Sequence, residues 1–207
     1  IVSKGHGSIS LYPILADRGF FPKDELRRVC RPGSFLGGIP DPVIPGYETV
    51  NGSLGHGPGV GAGMALALKR QGSDRRVVVV TGDGELHEGA VWEAFMFAAQ
   101  HKLSNLVLIV DDNTRCMMGH TRDVVGLAPL AEKFRAFGWW AGEADGHDVE
   151  ALCEGIGRAM EASFDGPRVL IAHTVKGKGA PTLESDPLCH IRTLSPAVIE
   201  ELVGGAS

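Results

Sequence analysis

A run of valines, Val77 to Val80, leads into Thr81-Gly82-Asp83-Gly84, and a second apolar run, Leu106 to Val110, leads into Asp111-Asp112-Asn113. If both runs are strands of one parallel sheet, the two turns emerge side by side at its carboxyl edge, where ligands of open α/β sheets gather. Asp83 offers a hard anionic oxygen and Asn113 a carboxamide oxygen. With a main-chain carbonyl at Arg115, these would leave Mg²⁺ open positions for two phosphate oxygens, its usual manner of binding. Gly82 and Gly84 let a phosphate approach the backbone closely, and a helix carrying Trp92 presents free amides toward it. The chemistry implied is a metal-assisted grip on a diphosphate. The plainer reading, a turn at Asp83 and a helix cap at Asn113, explains each strand end singly but not both together.

The elements that must position these turns are legible. Val77 to Val80, Leu106 to Val110 and Val169 to Ala172 are short, aliphatic and bounded by Gly, Asp, Asn or Pro, as buried strands are. Helical spacing recurs in Trp92, Phe95, Met96 and Ala99, in Leu127, Leu130, Ala131 and Phe134, and in Val149, Leu152, Cys153, Ile156 and Met160. Ser195-Pro196 marks the capped start of a last short helix. Strands alternating with helices predict a doubly wound, mostly parallel α/β sheet with helices on both faces, formed as one domain over residues 1–207. The Gly/Pro-rich stretch 32–63 fits neither period and reads as a functional loop region.

Composition narrows the function classes. With 43% hydrophobic and 22% charged residues the chain is an ordinary globular one, and no apolar run approaches the length of a membrane span. A net charge of -5 without a Lys/Arg-dense tract predicts neither nucleic acid nor an anionic membrane as partner. Cys30, Cys116, Cys153 and Cys189 form no CxxC pair, so a disulfide framework or zinc site is not expected and a reducing cytoplasm is. The sequence opens Ile1-Val2-Ser3 without a signal-peptide pattern, and a missing extreme N-terminus is expected.

Beyond single residues, Gly82-Asp83-Gly84 followed about thirty residues later by Asn113 resembles the thiamine-diphosphate fingerprint. Ser3-Lys-Gly-His-Gly7, Gly52-Ser-Leu-Gly55, Gly82-Asp-Gly-Glu-Leu-His-Glu-Gly89, Asp145-Gly-His-Asp148 and Thr174-Val-Lys-Gly-Lys-Gly179 resemble the transketolase family in order and spacing, nearly end to end. The resemblance implies that Asp83, Asn113 and the carbonyl of Arg115 hold Mg²⁺. It implies that Gly82 and Gly84 meet the diphosphate, and that Gly52 and Leu54 line the cofactor. His6 and His190 match histidines facing the diphosphate and the reacting thiazolium carbon, where each can take part in proton transfer near neutral pH. Glu88 matches a glutamate at the dimer interface that couples two active sites; as a helix-start glutamate it would merely suit the macrodipole. The sequence departs from the family at Ile39, where a donor-binding histidine is usual, at Ile191, where glycine usually follows the histidine, and at His56, where glutamine is usual. His56, His87 and His147 are expected to be structural or surface residues.

Thiamine catalysis also needs an acidic residue against the aminopyrimidine ring. No part of the 207 residues resembles the pyrimidine-binding domain that supplies it in transketolases. The resemblance therefore implies the diphosphate-binding subunit of a split enzyme, active only with a separate pyrimidine-binding subunit in an α2β2 assembly, transferring a two-carbon ketol unit from a ketose-type donor to an aldehyde. The Gly204-Gly-Ala-Ser207 tail reads as a natural end, against the alternative of a fragment of a fused chain. A 2-oxo acid decarboxylase or acyl transferase subunit, or a non-catalytic cofactor-binding subunit, would use the same half-site.

Overall fold

A computed structural model describes residues 1–50, 52–161 and 163–204; of the tail read above as a natural end, only Gly204 is among them. The predicted strands form where expected. β1 (Val77–Gly82), β2 (Leu106–Asp112) and β6 (Arg168–His173) join β5 (Trp140–Asp145) in a parallel sheet of order β1-β2-β6-β5. β5 has no β-branched residue and lies at the edge, so its strand character comes from pairing with β6 and from helix cover rather than from propensity. Ile1 to Ser3 run along the opposite edge, with Val2 bridging Val80 in parallel. A two-residue pair, β3 (Arg115–Cys116) and β4 (Gly119–His120), forms a separate hairpin beyond β2.

The helices are α1 (Leu11–Asp17), α2 (Gly57–Arg70), α3 (Gly89–Gln100), α4 (Thr121–Val124), α5 (Leu130–Ala136), α6 (Val149–Glu161), α7 (Pro181–Glu184) and α8 (Pro196–Gly204). α2, α3 and α5 cover the sheet face carrying Val79, Leu108 and Val169, and α6 covers the face carrying Leu170, so both faces bear helices. The main core centres on Phe95, Phe134 and Trp139, mutually packed rings, each contributing about 1.5–3 kcal/mol if burial follows the usual area scaling. α6 departs from its expected stripe. Val149 and Cys153 face solvent, while Gly155 and Ala159 are buried, because a Cβ at Gly155 would already lie 2.9 Å from Leu170.

The stretch 32–63 is irregular only to His56; from Gly57 onward it is the start of α2. Its glycines obscure a helical signal for a packing reason. A Cβ at Gly61 would sit 2.4 Å from Val79 Cγ2, and one at Gly57 would sit 2.3 Å from Ser3 Oγ. A second, smaller core of Tyr12, Ala16, Phe21, Leu36 and Ile44 gathers α1 and the loops after it, apart from the sheet. Tyr12 donates to Gly37 O at 2.7 Å, and Tyr47 donates to Ser8 O.

Candidate active site

β1 ends beside Asp83 and β2 continues into Asn113, and their parallel register sets Gly82 beside Asp111. Asp83 is 5% exposed. Its Oδ1 accepts from Gly84 N–H at 2.9 Å and its Oδ2 only a long 3.4 Å contact from Thr121 Oγ1. Burial first, and then the nearby Asp112 carboxylate, push its carboxyl up to about 7. A half-satisfied buried carboxylate beside other carboxylates is a place that a cation would relieve. Thr114, at φ +60, turns the chain between Asn113 and Arg115, and Asn113 Oδ1 accepts from Arg115 N–H at 3.1 Å. Among the described residues no group of three or more His, Cys, Asp or Glu is arranged to hold a metal ion. A magnesium ion here would thus draw its remaining oxygens from a ligand. The donor set of one carboxylate, one carboxamide and a carbonyl fits that division.

A cavity of about 430 Å³ opens at this edge. Its walls include the residues singled out from the sequence: His6, Ile39, Gly52, Leu54, Gly82, Asp83, Gly84, Glu88, Asn113, Arg115 and His190. Segments far apart in the chain bring them together. Glu88 is exposed at the start of α3, opposite Gly55, where a Cβ would strike Glu88 Cβ at 2.7 Å. His6 and His190 meet edge to face with ring centroids 5.3 Å apart. Burial first, then His190, Lys176 and Lys4, lower the His6 pKa, and burial followed by Lys176 lowers that of His190. Both shifts favour the neutral form of the rings.

Sequence reasoning passed over several residues of this cavity. Lys4 and Lys176 bring positive charge to the histidine side, and Glu85, His87, Cys116, Met117 and Met118 complete the wall. The signal for the lysines was present, since each sits inside one of the glycine-rich motifs. Lys4 pairs with Asp111, whose other oxygen accepts from Thr174, so the charges of the two sides interlock. Of the histidines expected to be structural, His56 is exposed at the start of α2 and is not among the cavity walls. His87 does line the cavity, with Nε2 at 3.2 Å from Val125 O.

His147 has a distinct structural role. Its Nε2 accepts from Val175 N–H at 2.7 Å and so pins the loop that carries Lys176. Replacing His147 with alanine leaves that amide without its partner, a loss of about 0.5–1.5 kcal/mol for one hydrogen bond. The expected outcome is a several-fold weaker affinity for a diphosphate ligand with little change in melting temperature, measured by titration calorimetry and thermal unfolding.

Residues 1–203 match the sequence model of the family described as "Transketolase, thiamine diphosphate binding domain". The chain is 41% identical over 191 residues to one of the subunits of the apulose-4-phosphate transketolase of Actinobacillus succinogenes, covering 92% of this chain and 68% of that protein. It is 37% identical over 191 residues to a 6-deoxy-6-sulfo-D-fructose transketolase subunit from a Clostridium species, covering 92% of this chain and 69% of the relative. The crystal structure of transketolase from Campylobacter jejuni superposes over 100% of this chain and 33% of its own length, with a TM-score of 0.88 at 29% identity.

Proposed function

The chain belongs to the transketolase family as its thiamine-diphosphate-binding domain, and from that premise we propose that it is the diphosphate-binding subunit of an enzyme transferring a two-carbon ketol unit between a ketose-type donor and an aldehyde. The observation that carries this reading is the division of charge in one cavity. Asp83, with Asn113 and the Arg115 carbonyl, offers the groups that call for a cation, and Lys176, with His6 and His190, those that call for an anion. A magnesium diphosphate satisfies both at once. Thiamine diphosphate, when bound, supplies a carbon nucleophile and an electron sink for cleaving and remaking the bond beside a carbonyl.

In this reading Asp83, Asn113 and the Arg115 carbonyl hold Mg²⁺, and Gly82 and Gly84 let the diphosphate lie against the backbone. Gly52 and Leu54 flank the cofactor. His6 and His190 accept and return protons, while the ammonium group of Lys176 favours the anion. Glu88, at the exposed start of α3, is available to a neighbouring copy of the chain. The relatives whose names make them one subunit among others support a separate partner chain; we assign it the pyrimidine-binding role in an α2β2 assembly. No helix among the described residues is long and apolar enough to cross a membrane, and the four cysteines are free thiols, which suits a reducing cytoplasm.

Ile39 tests the donor. It is 47% exposed at the cavity wall, and its side chain offers neither donor nor acceptor to a sugar hydroxyl. His56, the residue that would stand in for the family's missing histidine, is exposed at the start of α2 and outside the cavity walls. A donor less hydroxylated at the corresponding carbon is therefore expected. The chain with its partner should be assayed with xylulose 5-phosphate, a deoxyketose, pyruvate, and the sugars in the relatives' names, apulose 4-phosphate and 6-deoxy-6-sulfo-D-fructose. Ile39→His should raise kcat/KM on xylulose 5-phosphate several-fold, as one gained hydrogen bond of about 0.5–1.5 kcal/mol implies. Preference for xylulose 5-phosphate in the wild type, with no gain in the variant, removes Ile39 as a specificity determinant. Preference for pyruvate points to the 2-oxo acid branch instead.

A further inference from the structure

Glu85 stands where three stretches of the cavity wall meet. It is 2% exposed, more completely buried than Asp83. Its Oε1 accepts from the Ser3 hydroxyl and from Gly55 N–H, the latter at 2.8 Å. Ser3 Oγ in turn accepts from Gly57 N–H at 3.0 Å, so the bond chain runs onward into the first turn of α2. The Gly82 amide also faces the carboxylate. Its Oε2 is buried with no hydrogen-bond partner among the described residues.

One carboxylate therefore ties together the segment bearing Lys4 and His6, the loop bearing Gly52 and Leu54, and the turn bearing Gly82, Asp83 and Gly84. Apart from the end of β1 and short 3-10 helices these segments are loops, and a loop held only at its ends samples many geometries. The local glycines make the tie possible by admitting side chains to contact distance. At Gly57 a Cβ would overlap Ser3, and Gly55, at φ +84, has no room for one beside Glu88.

We propose that Glu85 is a positioning residue, one that fixes the mutual spacing of the three loops so that the diphosphate site is assembled before its ligand arrives. Glu85 acts through Ser3 and Gly55, the groups its carboxylate is bonded to. The proposal rests on the cofactor reading above. Its effect belongs to affinity, because preorganisation removes an ordering cost that binding would otherwise bear. A carbonyl acceptor suffices for the role, since the bonds that do the tying converge on Oε1.

The test uses the chain purified with its partner, with thiamine diphosphate added at fixed Mg²⁺. Glu85→Ala should weaken cofactor affinity by about tenfold or more, a change of about 1.4 kcal/mol or more. Glu85→Gln, which keeps Oε1, should restore the affinity to within about twofold of wild type. Should Glu85→Ala fail to fold, Ser3→Ala removes one arm of the tie. It should weaken affinity in the same direction by a smaller factor, and add nothing in a Glu85→Gln background beyond its effect alone if Gln keeps the tie. Wild-type affinity in Glu85→Ala, or in Ser3→Ala when that is the variant that folds, overturns the positioning role. So does a loss of kcat at saturation, without change in affinity, in both Glu85→Ala and Glu85→Gln. A wild-type complex that does not bind thiamine diphosphate overturns the cofactor reading itself, and the positioning role with it.

Discussion

Replacing Asp83 with alanine is expected to abolish magnesium-dependent uptake of thiamine diphosphate. Asp83 is the charged side chain of the proposed ligand set, its partners there being the neutral Asn113 and a main-chain carbonyl. Changes in residues that merely orient a metal ligand cost about 10–100-fold in affinity, so removal of the charged ligand itself should cost about 100-fold or more. Isothermal calorimetry of the complex with thiamine diphosphate and Mg²⁺ measures it, and unchanged affinity would place the metal elsewhere. The same substitution should leave the metal-free chain at least as stable in thermal unfolding. It removes a buried carboxylate that burial and Asp112 hold near pKa 7, a group whose ionised form is costly without a cation. Loss of binding without loss of stability separates a ligand role from a structural one.

The second large effect is dependence on a partner. Assayed alone, the chain is expected to show no ketol transfer, and activity should appear on mixing with its pyrimidine-binding partner. In the proposed reading the cavity carries the metal and phosphate side of the site, and the carboxylates on its wall are engaged otherwise. Asp83 is assigned to the metal, Glu85 is tied to Ser3 and Gly55, and Glu88 stands exposed at a helix start. The rim is apolar and open, with Ile39, Met117 and Met118 at 47%, 65% and 72% exposure, as a surface awaiting a second domain would be. Light scattering should find the chain paired with itself and with its partner, and enzyme assays of each component separately and together complete the test. A monomeric chain that turns over substrate unaided would overturn the split-enzyme reading.

Much of this was legible before the structure. The aliphatic runs announced β1, β2 and β6 because those strands are largely buried, where sequence pattern and environment agree. β5 was silent: Trp-Ala-Gly-Glu-Ala-Asp carries no strand preference, and its pairing with β6 is a tertiary fact. The start of α2 was obscured by glycines whose purpose, close contact with Ser3 and Val79, lies far away along the chain. Asp83 and Asn113 could be found because the strand ends bring them together by register alone. Glu85 could not be weighed in that way, since its significance depends on bonds to residues 82 and 30 positions distant.

The two separate cores have a consequence for how the site comes apart. Cooperative opening proceeds in units defined by shared packing. Asp83, Asn113 and Gly84 hang from the sheet and its core of Phe95, Phe134 and Trp139, whereas the loop of Ile39 is anchored through Gly37 to Tyr12, and the turn after His6 through Ser8 to Tyr47. The proposed metal ligands and the loop of Ile39 therefore rest on different packed cores. Substitutions that loosen Tyr12, Phe21 or Leu36 should therefore disturb the loop of Ile39 more than the proposed metal ligands. For the same reason an evolving sequence is free to remodel the sugar it accepts by repacking the small core, with the cofactor chemistry insulated from the change.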